Sequence, residues 1–475
     1  MRALLIENPL LFGGLKYQMA VKIALVYPYF HPVNDNSIFR FPPLGLGYIA
    51  GALKKRGIEA DLVDCTFMKF REAVDKIKRA RPQIVGFYSM FSMKKTTLDL
   101  AQCLRKEGLD DSLFVVGGPL PSWAPDGFLD TFDVVAVGEG EQTMSELVEC
   151  VEQGKEFADV KGLIFHEGNR IVNTGPREFI QELDSLSTPT RELFDNEAYK
   201  KYYLDHFGYS TTSMITSRGC PFSCDFCSRP IFGADMRSRS VNNIVNEMEE
   251  IAALGYDRVW FADDCFTLNR NHLLDVCREI VRRGVKVGWE CLSRVDTMDA
   301  EVAEGMKRAG CIGVFFGIES GNDSVLGFMN KHISTAQAKK AVYAAKASGL
   351  KVGAFFIVGY PGESNKTVLD TVRFASGLPL DYLSFTLPYP IPGTPLYERV
   401  KDHGVSIEDW EEPKNYRLIR HKLLYASGFS EGKLKFAIGK AQAQFYGRRY
   451  LGKMGYGVLG WPFERLTDFA FELMH

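Results

Sequence analysis

The hydrophobic pattern of the first 150 residues switches between two periods. Short apolar runs stand at 22–28 (KIALVYP), 58–64 (IEADLVD), 83–90 (QIVGFYSM), 113–118 (LFVVGG) and 133–141 (DVVAVGEGE). Between them, 43–56 (PLGLGYIAGALKKR), 68–80 and 95–107 read as helices. Apolar runs separated by helices predict a parallel sheet with covering helices. The expectation is a five-strand doubly wound domain over about 20–150, whose ligand would sit beyond the carboxyl ends of the strands. Residues 151–205 read as a connector. They contain a hairpin at 162–172 with Gly168 and Asn169 in its turn, then a linker-like stretch at 183–196.

A second alternating region, 206–400, carries strand candidates at 210–217, 257–262, 286–292, 311–318, 351–359 and 381–388. Helical stretches separate most of them. Six such βα units predict an open, partial (β/α)6 barrel of TIM type, with any active site at the carboxyl ends of its strands. Residues 401–475 read as a small helical domain. Within it, Phe463, Leu466, Ala470 and Leu473 fall at roughly helical spacing behind Pro462, which stands near a helix start. Such a stripe can pack on a core or, with Arg448, Arg449 and Lys453 before it, lie on a membrane surface.

Composition narrows the class. The chain has 475 residues, 46% hydrophobic and 24% charged, with a formal net charge of −2. Those values suit a globular protein of two or three domains. Without a polybasic block no nucleic-acid partner is expected, and no apolar run is long enough to span a bilayer. The N-terminal MRALLIENPLLFGGLKYQ has no convincing cleavage site, so a cytoplasmic location is expected. Ten cysteines are too few for a disulfide scaffold.

Three of those cysteines carry the chemistry. The segment TSRGCPFSCDFCSRP (216–230) spaces Cys220, Cys224 and Cys227 as C-x3-C-x2-C directly after the first barrel strand. Thiolates are the usual ligands of iron–sulfur clusters. Three of them leave one iron of a [4Fe–4S] cluster free to chelate the amino and carboxylate groups of an amino-acid ligand. Phe226 can pack beside a bound nucleoside, and Gly219 and Pro221 suit a tight loop. The competing reading is a zinc knuckle, but zinc generally takes four protein ligands and no second cysteine pair stands nearby.

This loop, ahead of a six-unit barrel, resembles the radical S-adenosylmethionine (SAM) superfamily. The resemblance covers about 209–400 and implies a SAM site built from successive strand ends. FADDCFT (261–267) offers Asp263 or Asp264 for the SAM amino group, where the family usually has Gly-Gly-Glu. LSRVD (292–296) offers Arg294 for the carboxylate, and FFGIESG (315–321) offers Glu319 for the ribose. IVGYPGE (357–363) offers the turn at Gly359 for the adenine. A low-potential electron donor such as ferredoxin or flavodoxin is implied as a partner.

The first domain resembles the cobalamin-binding class of that superfamily through FRFPPLGLGYIAGALKKRG (39–57), VGGPLPSW (116–123) and VAVGEGEQT (135–143). Gly117, Gly118, Gly138, Glu139 and Gly140 would let backbone approach a large flat ligand. Tyr88, Met90 and Phe91 could line the corrin. The Asp-x-His-x-x-Gly triplet of many cobalamin proteins is missing, and His31 stands in a different pattern. Cobalamin would therefore be bound base-off, with no histidine ligand. The alternative is a cobalamin-type fold kept as a scaffold.

The C-terminal segment 403–453 resembles the helical tail of a class that includes the anaerobic magnesium-protoporphyrin ester cyclase and lipid-modifying methylases. The resemblance implies a C-methyltransferase acting at an unactivated carbon. One SAM would charge cobalamin with methyl, and a second would yield a 5′-deoxyadenosyl radical that activates the substrate. An oxidative cyclase or rearrangement enzyme using cobalamin is the second possibility. A transfer-RNA methylthiotransferase is disfavoured, because Cys65, Cys103 and Cys150 are too scattered for a second cluster. The substrate (small molecule, lipid, or peptide or protein side chain) is left open.

Overall fold

The computed structural model describes residues 21–30, 37–227, 231–405 and 422–474, with side chains left out at 452–459 and 461. His31 lies outside the described residues. The chain divides into two compact units, the first built mainly from residues up to Gln181 and the second mainly from Tyr199 onward.

The first unit follows the apolar runs closely. Strands β1 (Ile23–Tyr27), β2 (Ala60–Asp64), β3 (Ile84–Tyr88), β4 (Leu113–Gly117) and β5 (Val134–Ala136) alternate with α1 (Leu44–Lys55), α2 (Phe70–Ala80), α3 (Lys94–Lys106), α4 (Pro119–Trp123) and α5 (Gly140–Gln153). Helix boundaries have local causes. Helix α2 stops at Arg81, in the left-handed region at φ 47°, just before Pro82. Helix α5 stops at Gly154, φ 64°.

The hairpin at 162–172 does more than connect. Strands β6 (Leu163–Glu167) and β7 (Arg170–Asn173) meet at the turn Gly168–Asn169, and β6 pairs antiparallel with β5. The sheet therefore has seven strands in the order β2-β1-β3-β4-β5-β6-β7 rather than five. Leu163 and Ile164 are buried, which gives the extra pairing its apolar drive. Apolar side chains cover the sheet on both faces: Val26, Phe87 and Phe114 in one core, Leu25, Val115 and Leu147 in the other. The strand order reverses between β1 and β3, so the ligand crevice of such a sheet opens there.

The second unit begins with α6 (Asn196–Phe207) and β8 (Thr211–Met214), then a two-stranded ribbon of β9 (Ser217–Arg218) and β10 (Arg237–Ser238). It continues through α7 (Val241–Ala253), β11 (Arg258–Phe261), α8 (Arg270–Arg283), β12 (Gly288–Ser293), α9 (Ala300–Arg308), β13 (Cys311–Glu319), α10 (Asp323–Phe328), α11 (Thr335–Ala347), β14 (Lys351–Ile357), α12 (Asn365–Gly377) and β15 (Tyr382–Thr386). Six parallel strands lie in the order β15-β14-β13-β12-β11-β8, and β8 and β15 do not pair. This is the expected open six-unit barrel. Side-chain alternation along the strands puts Phe261, Phe316 and Phe356 in the main core. On the opposite face Trp260 meets Phe315 at 5.1 Å and Phe315 meets Phe355 at 5.9 Å. That face is packed, which leaves the strand ends as the place for a site.

Helix α13 (Pro395–Val400) precedes the C-terminal helical segment α14 (Glu431–Leu473). A straight helix from Lys433 to Met474 would be about 60 Å long. Lys433 Nζ instead donates to the Met474 carbonyl at 2.7 Å, Lys440 pairs with Asp468, and Arg448 pairs with Glu464 at 2.9 Å. The segment thus doubles back between Arg448 and Glu464, and Pro462 stands early in the returning limb. The apolar stripe of that limb does not enter the core. Of its expected members Phe463, Leu466 and Leu473 are exposed and Ala470 is half-buried; Phe469 beside them is exposed and Phe471 is fully buried. Among the described residues no helix is long and apolar enough to cross a membrane.

Candidate functional site

In the second unit the cysteine loop leaves β9 through Gly219. Its φ is 91°, and a Cβ there would collide with the Asp235 carbonyl, so only glycine fits. The loop is fastened at several points. Cys220 N–H donates to Gly233 O at 3.2 Å, and Cys227 N–H donates to Cys224 O at 3.1 Å. Asp225 N–H donates to Met329 O at 3.0 Å, and Asp225 O accepts from Leu396 N–H at 2.9 Å. The Asp225 carboxylate accepts from Arg399 Nη2 at 2.7 Å. Asn330 Nδ2 donates to Ser223 O at 2.8 Å. The loop is thereby held by segments that follow β13 and β15.

Cys220, Cys224 and Cys227 are half-buried in this loop. Three thiolates on one loop are the donor set that a four-iron cluster takes, each thiolate binding a different iron.

The two aspartates after β11 have separate fates. Asp263 is buried and turned inward: it accepts from Thr216 N–H at 2.7 Å and from Ser217 Oγ at 2.7 Å, and also holds the Thr216 hydroxyl. It fastens the end of β8, a role the sequence reading did not give it. Asp264 is exposed, although protein crowds its carboxyl group. That crowding, and then the charge of Asp263, push its pKa up to about 6. Cys220 lies near enough to feel the Asp264 charge, although burial is the main cause of its raised pKa.

Arg294, buried after β12, forks onto Asp296 with two bonds of 2.9 Å. It also donates to Lys331 O at 3.0 Å, and its guanidinium lies 3.5 Å from the centre of the Phe222 ring. It braces the cysteine loop from below. Glu319, at the end of β13, is buried at φ 70°, beside a register shift between β13 and β14. Left-handed backbone at a non-glycine residue costs about 1–2 kcal/mol and gathers at functional sites. The Glu319 carboxylate binds Lys331 Nζ at 2.9 Å.

Sequence reasoning missed Lys331. It is buried, and its ammonium lies 5.6 Å from the centre of the Phe226 ring and senses Cys224. The loop that carries it has Asn330 and His332 at φ 52° and 53°. Gly359, after β14, has φ 86°, and a Cβ would strike Leu434 of α14. Its N–H donates to Glu363 Oε2 at 2.7 Å and its carbonyl accepts from Tyr425 OH at 3.1 Å. That turn is roofed by the C-terminal segment. Glu363 is pushed up to about 7 by burial.

In the first unit, Met90 and Phe91 are half-buried at the carboxyl end of β3. Tyr88 meets Tyr27 at 5.5 Å, and Tyr27 meets Tyr29 at 6.0 Å, so tyrosines from β1 and β3 line the point where the strand order reverses. Gly118 has φ 105° and a Cβ would lie 2.6 Å from Ser89 O. Gly138, φ 84°, faces open space, and its N–H donates to Ser122 Oγ at 3.1 Å. A Cβ on Gly117 would lie 3.5 Å from Ala136 O. Glu139 and Gly140 answer other needs. Buried Glu139 accepts from Ile180 N–H at 2.7 Å, and a Cβ on Gly140 would come within 3.0 Å of Ile49.

Residues 214–375 match the model of the radical SAM superfamily, and 31–148 match that of the B12 binding domain. An uncharacterized methyltransferase of Pyrococcus horikoshii is 33% identical over 443 residues, 90% of this chain and 92% of its own length. The chain belongs to the cobalamin-binding radical SAM family. The anaerobic magnesium-protoporphyrin IX monomethyl ester cyclase of Cereibacter sphaeroides is 27% identical, covering 91% of this chain and 71% of its own. The methyltransferase TsrM of Kitasatospora setae, solved with cobalamin and a [4Fe–4S] cluster, shares the fold at a TM-score of 0.68 and 22% identity, over 90% of this chain and 82% of its own. Membership makes this a radical SAM enzyme that uses a [4Fe–4S] cluster, SAM and a reductant, with a cobalamin domain ahead of the barrel.

Proposed function

We propose that the chain is a C-methyltransferase that methylates an unactivated carbon of its substrate. What carries this reading is the pairing of a three-cysteine cluster loop with a B12 binding domain in a chain 33% identical to a protein named a methyltransferase. When bound, the cluster and SAM supply a carbon-centred radical and cobalamin supplies the methyl group. The chain's own residues position and shield. Cys220, Cys224 and Cys227 hold the cluster. Asp264 takes the SAM amino group, Arg294 and Lys331 supply positive charge for its carboxylate, and Glu319 takes the ribose. Phe226 and the turn at Gly359 border the nucleoside. In the first unit Met90, Phe91, Gly117, Gly118 and Gly138 would border the corrin. Charge-assisted bonds of this kind contribute about 1.5–3 kcal/mol each.

The test uses the full chain, reconstituted anaerobically with iron, sulfide and cobalamin and reduced by flavodoxin. It is supplied with methyl-deuterated SAM and a panel of lipid, tetrapyrrole and peptide substrates. The expected result is deuterated methyl in one product, with 5′-deoxyadenosine and S-adenosylhomocysteine formed together. The cyclase relative favours a second reading. 5′-Deoxyadenosine with an unlabelled, cyclised or desaturated product would establish that reading instead.

A further inference from the structure

The inner face of the barrel is shut in its middle and opens toward the strand ends. Trp260 and Phe315 are buried there, whereas Leu292, Gly317, Phe355 and Ser384 are half-buried. Pairing puts three of these side by side: Gly317 of β13 stands opposite Phe355 of β14, and Phe355 opposite Ser384 of β15. Alternation turns all three inward, because Phe316, Phe356 and Phe385 beside them lie in the core on the other face. A Cβ on Gly317 would meet Glu319 Oε1 at 2.6 Å and Lys331 Nζ at 3.1 Å. The heads of that ion pair therefore lie on the inner wall, over Gly317. One row across the wall thus holds an ion pair, an aromatic ring and a hydroxyl. The hydroxyl is the member without a partner. Glu319 and Lys331 hold each other, Thr386 donates to Leu387 O at 3.1 Å, and Arg258 and Glu290 lie 3.8 Å apart lower on the wall. Ser384 makes no side-chain hydrogen bond among the described residues, and it is half-buried rather than solvated.

We propose that Ser384 anchors the substrate, an apolar molecule carrying a single hydroxyl or carbonyl group, beside the ring of Phe355. The proposal rests on the reading that Glu319 belongs to the SAM site. Two interstrand spacings, about 10 Å, separate β13 from β15. The anchor thus stands clear of Glu319, with Phe355 between them as the floor on which the reacting part of the substrate lies. Leu292, Phe355 and Tyr382 are half-buried on this wall, and covering them favours an apolar ligand. A peptide would bring a donor and an acceptor at every residue, and each one left without a partner costs free energy. One hydroxyl cannot serve them. A single polar group on an apolar wall instead fixes the orientation of a ligand, which methylation at one carbon requires.

The test is a ligand-observed NMR titration of the full-length, cluster-loaded protein, with SAM present. The probes are octan-1-ol and the tripeptide glycyl-leucyl-glycine. The wild type should bind octan-1-ol in preference to the tripeptide. Ser384→Ala should weaken octan-1-ol binding about five-fold, the loss of one neutral hydrogen bond, and Ser384→Thr should restore it. Thermal midpoint and SAM affinity should be the same in all three proteins. No binding of octan-1-ol by the wild type, equal affinity in wild type and Ser384→Ala, or a tripeptide that binds as well would overturn the proposal. So would a loss of SAM affinity in Ser384→Ala, which would put the hydroxyl in the SAM site. Glu319→Gln separates the two readings. Undiminished SAM affinity in that variant would overturn the placement of SAM, whereas the octan-1-ol titrations decide the anchor.

Discussion

Asp263 and Asp264 are adjacent and chemically identical, yet Asp263 is buried and bound to its neighbours while Asp264 is exposed. The difference lies in Thr216 and Ser217, 47 and 46 residues upstream, whose donors reach Asp263 alone. No local pattern in FADDCFT reveals that, so the pair could not be resolved from sequence. Asp264 gives a pH signature. Its folded pKa, about 6, stands above the ordinary value of about 3.9. The fold thus favours the neutral acid, and the stability this lends is complete below about pH 4 and lost as pH rises through 6. Asp264→Asn should gain in thermal midpoint relative to wild type across that interval and hold a constant margin above it. SAM binding by wild type should tighten over the same interval, as the carboxylate ionises. Lys331 lay in no expected motif because its partner, Glu319, is brought to it only by the bulge and the left-handed backbone. Lys331→Met strands a buried carboxylate, a loss of about 3–5 kcal/mol. Denaturant unfolding of the apo-protein should show it. With the cluster intact by iron content, SAM binding should weaken at least ten-fold in equilibrium dialysis.

At the scale of elements, the end of β14 and the start of α14 lock together at one point. Gly359 has no room for a side chain because Leu434 fills the space, and Tyr425 holds the Gly359 carbonyl. Gly359→Ala should therefore lose about 2–4 kcal/mol, combining left-handed strain with overpacking. Leu434→Ala empties part of the core and is itself destabilising, but it should cost less in the Gly359→Ala background than in the wild type, because there it also removes the clash, and thermal unfolding of the four proteins reads that coupling. An equal cost in both backgrounds would place the clash elsewhere. The strands were legible because runs such as IALVY and LFVVG are buried on both faces and can be little else. The pairing of β6 with β5 was not. A hairpin pattern specifies how its own strands pair but not which sheet edge they join. The helical stripe at Phe463 was legible as amphipathic, but periodicity cannot tell whether the apolar face meets a core or solvent. The buried face here is the one that carries Glu464, Asp468 and Phe471, two of them acids paired with Arg448, Arg373 and Lys440.

At the scale of the whole molecule, two units each carry their own sheet and core. Cobalamin binds to the first and SAM to the second in the reading proposed above. A ligand that binds only the native state stabilises what it binds by RT ln(1 + [L]/Kd), about 2.7 kcal/mol at a hundred-fold excess over Kd. Calorimetry of the full chain should therefore show two transitions. Cobalamin should raise one and SAM, on the reconstituted protein, the other. The bound cobalamin should give a base-off spectrum, because residues 20–150 contain no histidine but His31 and that residue is outside the usual ligand triplet. His31→Ala should leave both the spectrum and the cobalamin-dependent shift unchanged. A base-on spectrum that the substitution abolishes would make His31 the cobalt ligand. A single transition raised by both ligands would show that the two units unfold as one, which would join the cofactors thermodynamically as well as chemically.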